Sequence, residues 1–311
     1  MKKIVSVFLF LILAGVLFAA GAPEAKPTAE PIELTYLSGT LFTFEGQTDF
    51  AWAKAELQKE FPNVTVVHYQ IDLSDGSALT MKAMLAADEA PNIYQDTVVR
   101  SGAYMRADFA LPLDEYITDL DQYEESTLAP YRRDGKLLGL PAPGGAQGMA
   151  INLDMMAEIG YTVPDNWTIA DFLVMAAKVK AKYGGEKYAT GMFAANQSGD
   201  YLINNWFSAF GADYYKAGDY SKTTIKETGG AVVYKFFQDL MRDGYIPANS
   251  ADLTDDDYVL QWARGELAAT AFFPSWVKPY QDTVAAQGYK PFNYKFVPFP
   301  RASWVKAVPT Y

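Results

Sequence analysis

Residues 61–67 read Phe-Pro-Asn-Val-Thr-Val-Val, and this stretch indicates the fold class of the chain. A helix that precedes it must end near Phe61, because the residue before a proline is disfavoured in the helical conformation. The β-branched run from Val64 to Val67 is typical of a strand that is buried on both faces of a sheet. A helix is therefore followed directly by a buried strand, as in chains where the two elements alternate.

The alternation extends in both directions from this stretch. Before it, the sequence predicts a strand over 34–37 and a helix over 49–60. After it, the sequence predicts a helix over 79–87, which ends before Pro91, and a strand over 93–95. This βαβαβ order predicts a parallel sheet with helices on both faces.

Ligands of such sheets bind beyond the carboxyl ends of the strands. Ser38, Gly39 and Thr40 follow the first predicted strand, and Gln95 and Asp96 follow the third. Their hydroxyl, amide and carboxylate groups can hydrogen-bond a polar ligand, so all five are candidate binding residues. Turn formation and helix capping explain the same residue types, and both interpretations stay open.

The second half of the chain contains further strands and helices. Strands are predicted over 137–141, 188–193, 267–272 and 294–298, with another beginning at Val305, and regular structure is expected to resume over 147–152. Helices are predicted over 168–183, 201–210 and 230–242, and Thr168 with Asp171 forms a capping box at the start of the first of them. Pro141-Ala142-Pro143-Gly144-Gly145 interrupts the pattern with a stiff and then flexible run, which is typical of a hinge. We therefore expect a first lobe of residues 32–140 plus 297–311 and a second lobe of residues 141–296.

The first residues are typical of an export signal. Met1-Lys2-Lys3 precedes an apolar run over 4–18 and the small residues 19–22, as in a secretory signal peptide. The run is shorter than the ~20 residues that span a bilayer, although an uncleaved anchor helix is the alternative. We expect a signal peptide over 1–22 and a disordered tether over 23–31. Without cysteine there is no lipid-anchor site, so we expect a free periplasmic protein.

Composition favours binding over catalysis. The chain has no cysteine and one histidine, His68, which excludes thiol and zinc–thiolate sites and leaves little for Ser-His-Asp chemistry or a multi-histidine metal site. The net charge of −11 argues against nucleic acid and anionic membrane surfaces as partners. Aromatic residues make up 15% of the chain, and flat ligands stack on such rings. We expect no cofactor, no bound metal and no catalytic residues.

Eight stretches, in chain order, resemble the motifs of family 1 extracellular solute-binding proteins, the receptors of carbohydrate ABC importers and relatives of the maltose-binding protein. They are FPNVTV (61–66), MKAMLAADEAPNIYQD (81–96), LPLDEYI (111–117), DGKLLGLP (134–141) with INLD (151–154), WTIADF (167–172), GELAA (265–269) and PSW (274–276). Each motif is weak alone, whereas the ordered set covers the chain from Ile32 onward.

The resemblance implies a type II-like periplasmic-binding-protein fold, in which two α/β lobes close around a sugar. It also implies a membrane permease as partner, and we expect a monomer. Family members continue past the position of Tyr311, so the second lobe is expected to be incomplete at its C-terminus.

Sugar binding requires flat rings against the sugar's C–H faces and paired hydrogen bonds for its hydroxyls. Trp276 lies at the family's cleft tryptophan, Trp206 lies in a helix whose counterpart often contributes a ring, and Gln147 follows the hinge. For both tryptophans an ordinary core position is the alternative. Trp52 and Trp167 are expected in the core, and His68 is expected to be structural or exposed.

Other functions stay open at this stage. Tyr214-Tyr215 is similar to the paired tyrosines of ferric-ion receptors, and the acidic residues allow a polyamine receptor. A secreted glycosidase with two carboxylates is a further alternative. The acidic run over 252–257 could mimic a calcium loop, but it lacks the EF-hand glycine and glutamate, so a solvated helix start is the better interpretation.

Overall fold

The computed structural model describes residues 30–38, 43–44, 47–70, 77–95, 109–141, 147–195, 200–213, 215–216 and 219–306. The chain divides into two compact units, Met1–Gln70 with Pro91–Tyr94, and Ile71–Ala90 with Gln95–Tyr311. The expected signal peptide and nearly all of the expected tether lie outside the described residues. Within the described ranges, no helix is both long enough and apolar enough to cross a bilayer.

The first unit is built on a three-stranded parallel sheet. Its elements are β1 (Ile32–Ser38), β2 (Thr43–Phe44), β3 (Gln47–Thr48), α1 (Asp49–Glu60), β4 (Val64–Gln70) and β5 (Ile93–Tyr94). β1 lies between β4 and β5, and both neighbours run parallel to it. The predicted parallel sheet and the predicted helix over 49–60 are thus confirmed.

β4 differs from its prediction in its burial. Val64 and Val66 are buried, but Thr65 between them is exposed, so the strand buries one face and not two. The alternation follows from the period of two in a strand, where neighbouring side chains point to opposite faces.

The second unit carries the larger core. Its elements are α2 (Ser77–Ala86), α3 (Glu125–Leu128), β6 (Arg132–Arg133), β7 (Lys136–Leu137), β8 (Gly148–Asn152), α4 (Leu153–Glu158), α5 (Ile169–Tyr183), α6 (Asp200–Ala209), β9 (Tyr215–Lys216), β10 (Asp219–Thr223), α7 (Ala231–Arg242), α8 (Asp255–Ala263), β11 (Ala269–Phe272), α9 (Pro274–Ala285) and β12 (Tyr294–Val297), with 3₁₀ turns at Leu120–Gln122, Ala129–Tyr131 and Ser250–Asp252.

The sheet of the second unit is centred on β8, which pairs antiparallel with β11 on one side and with β12 on the other. All five residues of β8 are buried. The predicted strand over 137–141 is wrong, because only residues 136–137 pair, in a short hairpin with β6. The predicted strand over 188–193 is also wrong, because that segment makes a single bridge, from Tyr188 to Leu267.

The C-terminal residues correct the expected lobe boundary. Residues 298–306 belong to the second unit, and not to the first. The indole N–H of Trp167 donates to the Pro298 carbonyl at 2.6 Å, and that of Trp304 donates to the Phe210 carbonyl at 3.0 Å. Phe299 is buried in the same core. The strand expected from Val305 is absent over 305–306, and residues 307–311 lie outside the described ranges.

Helix α5 begins with the capping box that the sequence predicts. The Thr168 hydroxyl accepts from the Asp171 backbone N–H, and the Asp171 carboxylate accepts from the Thr168 N–H. These bonds satisfy two backbone donors that a helix start leaves unpaired. Gly184 ends the helix at φ +62°, where residues with a side chain are strained.

We expect Thr168→Ala to lower the free energy of unfolding by about 1 kcal/mol, because it removes the acceptor for the Asp171 N–H. Urea denaturation measures the loss. Thr168→Ser keeps the hydroxyl and is expected to stay close to wild type; equal stability of all three proteins would show that the cap contributes nothing.

The Asp114 side chain links the turn at residues 114–116 to the hairpin of β6 and β7. Its Oδ2 accepts the Leu137 N–H at 2.9 Å, and its Oδ1 lies 3.4 Å from Nη1 of Arg132. The bond from Leu137 and the neighbouring guanidinium hold the pKa of this carboxyl below its usual value. Its stabilising effect is therefore complete above the unfolded-chain pKa and is lost as pH falls through the folded one.

We accordingly expect protection of the Leu137 amide against hydrogen exchange to fall as pH drops below about 4, the ordinary range of an Asp carboxyl. Exchange followed by NMR, corrected for the intrinsic rate at each pH, measures this. Asp114→Asn should abolish the acid step, and Asp119→Asn should retain it. A step that persists in Asp114→Asn would assign it to another group.

Candidate functional site

In the first unit, the candidate residue Ser38 lies at the carboxyl end of β1. It is fully buried, and its Oγ is 2.8 Å from Nε2 of His68 on the neighbouring strand. The His68 ring also packs against Tyr36, with centroids 5.5 Å apart. The one histidine of the chain therefore holds the Ser38 hydroxyl, which agrees with the structural role expected for it.

The other candidates of the first sheet are only partly described. Gln95 directly follows β5 and is half-buried. Gly39, Thr40 and Asp96 lie outside the described residues, and so does Tyr214 of the tyrosine pair. Their binding roles remain predictions.

In the second unit, candidate residues collect at one edge of the sheet. β8 begins and β11 ends there, since Gly148 pairs with Phe272. Gln147 comes directly before Gly148 and is buried. Its Oε1 accepts a hydrogen bond from Nδ2 of Asn205, which is fully buried on α6. The carboxamide of Gln147 is thus fixed in orientation by a partner on a helix.

Trp276 lies at the same edge of the sheet. β11 leads through Phe273 into α9, which has Pro274 in its first turn and no side-chain cap. Trp276 is half-buried, and its backbone N–H donates to the Phe273 carbonyl at 3.1 Å. Its ring meets Phe272 edge-on at 6.0 Å and Phe273 at 5.5 Å between centroids. A half-buried ring held by two aromatic neighbours retains surface on which a flat ligand can stack.

Trp206 occupies a different environment. It is 3% exposed, and four aromatic rings surround it with centroids 5.5–5.7 Å away: Phe172, Phe236, Phe237 and Phe299. Its ring surface is covered by protein, so the structure favours the core alternative over ligand stacking.

Of the two tryptophans expected in the core, one is buried and the other is exposed. Trp167 is 1% exposed, as expected for the core. The core expectation for Trp52 is wrong, because its side chain is 61% exposed on α1. The apolar residues of this helix do not fall on a single face, so the sequence pattern gave no basis for predicting whether Trp52 is buried.

The acidic run over 252–257 is a helix start. Thr254 caps α8 through Asp257, and Asp255 and Asp256 occupy the first turn, where negative charge is favourable. Among the described residues, no group of three or more acidic or histidine side chains could hold a metal ion. The calcium-loop alternative therefore has no support here.

Sequence reasoning missed two residues at this edge, Asn205 and Phe273. A signal existed for Asn205: it stands immediately before Trp206-Phe207 on an apolar helix, and a polar residue at a buried position needs a partner. Nothing marked Phe273, since its place at the strand-to-helix junction depends on where β11 ends.

Taken together, the edge joins an aromatic surface to buried amide groups. Rings cover apolar C–H surface, while oriented amides supply donors and acceptors at fixed positions. This combination suits a polyhydroxylated ligand and contains no paired acid and base for catalysis among the residues named.

Comparisons with known proteins agree with this architecture. The family model described as bacterial extracellular solute-binding protein matches residues 45–307. The arabinooligosaccharide-binding protein of Bacillus subtilis (strain 168) is 25% identical over 289 residues, which make up 89% of this chain. The chain spans 63% of that relative's own length.

Two solved structures are similar in fold. The GacH receptor of Streptomyces glaucescens GLA.O, determined unliganded and with acarbose, has a TM-score of 0.67 at 18% identity, covering 90% of this chain and 70% of that one. A sugar transporter from Arthrobacter chlorophenolicus A6 with bound laminaribiose has a TM-score of 0.64 at 16% identity, covering 81% and 64%. The expected α/β solute-binding fold is thereby confirmed, and the match over 45–307 shows that the chain belongs to the bacterial extracellular solute-binding protein family.

Proposed function

We propose that this protein is the sugar- or oligosaccharide-binding receptor of an ABC importer, and that it delivers its ligand to a membrane permease. The observation that carries the proposal is the half-buried Trp276 at the sheet edge where Gln147 and Asn205 form a buried amide pair. The family membership and the arabinooligosaccharide-binding relative support the substrate class. The receptor acts as a periplasmic monomer without catalysis, cofactor or nucleic acid.

The expected contribution of Trp276 follows from the area that it covers. Burying about 60 Å² of apolar sugar and ring surface at about 25 cal/mol/Å² stabilises the complex by roughly 1.5 kcal/mol. Since about 1.4 kcal/mol corresponds to a factor of ten in Kd, one such ring changes affinity by an order of magnitude. Hydrogen bonds to the hydroxyls then select the sugar, because each buried hydroxyl left unpaired costs about 1–3 kcal/mol.

We expect Trp276→Ala to weaken sugar binding about tenfold, because the stacking surface is lost. Isothermal titration with arabino-, malto-, chito- and laminari-oligosaccharides measures Kd. Trp304→Ala is the matched control: Trp304 is 67% exposed in the same unit, and its removal should leave Kd unchanged.

Trp206→Phe should lower stability, because it opens a cavity in the aromatic core, while the folded fraction keeps its affinity.

Four results would contradict the proposal. A folded wild-type protein that binds none of these sugars would refute the carbohydrate assignment. A visible charge-transfer colour with ferric ion, or a titration response to spermidine, would transfer the function to those ligands. Release of reducing ends from oligosaccharides would identify an enzyme.

A further inference from the structure

On the edge of β11 that faces away from β8, the last backbone N–H is held by a side chain and not by a strand. Along β11, alternate backbone N–H groups point to opposite sides. The Ala269 N–H donates to the Ala189 carbonyl at 2.9 Å. The next N–H on that side belongs to Ala271, and it donates to the hydroxyl of Tyr258 at 2.8 Å. The hydroxyl of Tyr258, which lies on α8, thus takes the place of the backbone carbonyl that a longer strand beside β11 would supply.

Several features seat this phenol. Tyr258 is 2% exposed, and a Cβ on Gly191 would lie 2.7 Å from its ring, so only glycine admits the ring at this position. Thr190 and Thr270 are fully buried. Burial raises the pKa of Tyr258, and the hydroxyls of Thr270 and Thr190 with the Ala271 amide partly offset the rise. The phenol is therefore protonated at neutral pH.

The anchored amide lies directly before the candidate ligand surface. Phe272 follows Ala271, pairs with Gly148, and meets the Trp276 ring edge-on at 6.0 Å. Phe273 then accepts the Trp276 N–H at 3.1 Å. A displacement of Ala271 is passed through these two residues to the Trp276 ring.

We propose that Tyr258 is a positioning residue that fixes the Trp276 ring for ligand binding by holding the Ala271 amide. The inference rests on the proposed function, in which Trp276 stacks on the sugar. The hydroxyl is the informative atom, because a phenylalanine ring would fill the same space. Without the oxygen, the buried Ala271 N–H loses its acceptor, and β11 must shift to satisfy it or leave it unpaired.

Tyr258→Phe is the variant that isolates the hydroxyl. Among sugars that bind the wild type, we expect Kd to rise about two- to tenfold, the range that one lost hydrogen bond covers. In a Trp276→Ala background, Tyr258→Phe should raise Kd much less, because the ring that Tyr258 positions is absent. The double-mutant cycle thus gives a non-zero coupling between Tyr258 and Trp276.

Tyr161→Phe is the matched control for losing a phenol. The Tyr161 hydroxyl donates to the Asp171 carbonyl at 2.9 Å on α5, a contact that involves no residue of β11 or α9. Its removal should lower stability without changing Kd or coupling to Trp276. If Tyr258→Phe behaved in the same way, with altered stability alone, the positioning role would be overturned.

A ligand-free measurement separates this proposal from the proposed function. The fluorescence and near-ultraviolet circular dichroism of Trp276 are obtained by subtracting the Trp276→Phe spectrum, with Tyr or Phe at position 258. We expect the Trp276 contribution to change when the Tyr258 hydroxyl is removed. If the wild type binds no sugar but this signature changes, the function fails and the positioning stands; an unchanged signature refutes the positioning.

Discussion

The constraint on which the second unit depends is the complete burial of β8. A strand with five buried residues cannot leave any backbone donor or acceptor to water, so it needs hydrogen-bonding partners along both edges. β11 and β12 supply them from segments more than 100 residues later in the chain. Pairing with β8 therefore places β11, and with it the sheet edge where Gln147 precedes Gly148 and Phe272 leads into α9.

The aromatic core is the second element of this arrangement. Trp206 is surrounded by phenylalanines from α5, α7 and the segment after β12, so a single ring ties three distant parts of the chain together. Asn205, its neighbour in sequence, points to Gln147 instead. One turn of α6 thus connects the apolar core with the polar edge.

Local signals predicted much of the fold and less of the site. Proline at 62, the β-branched run from Val64 and the Thr168–Asp171 spacing act over a few residues, and the elements they predicted are present. The local sequence does not distinguish Trp206 from Trp276, and only tertiary packing decides that one ring is enclosed and the other half-exposed. The failed strand over 188–193 has the same origin, because pairing depends on a partner far along the chain.

The contact between Gly191 and the Tyr258 ring has a consequence for how the sequence can change over evolutionary time. Because a Cβ at position 191 would lie 2.7 Å from that ring, a larger residue at position 191 is acceptable only after position 258 has lost its bulk. Loss of the tyrosine first leaves the Ala271 amide without its acceptor. Whichever substitution comes first destabilises the protein, so we expect positions 191 and 258 either to change together or to stay unchanged.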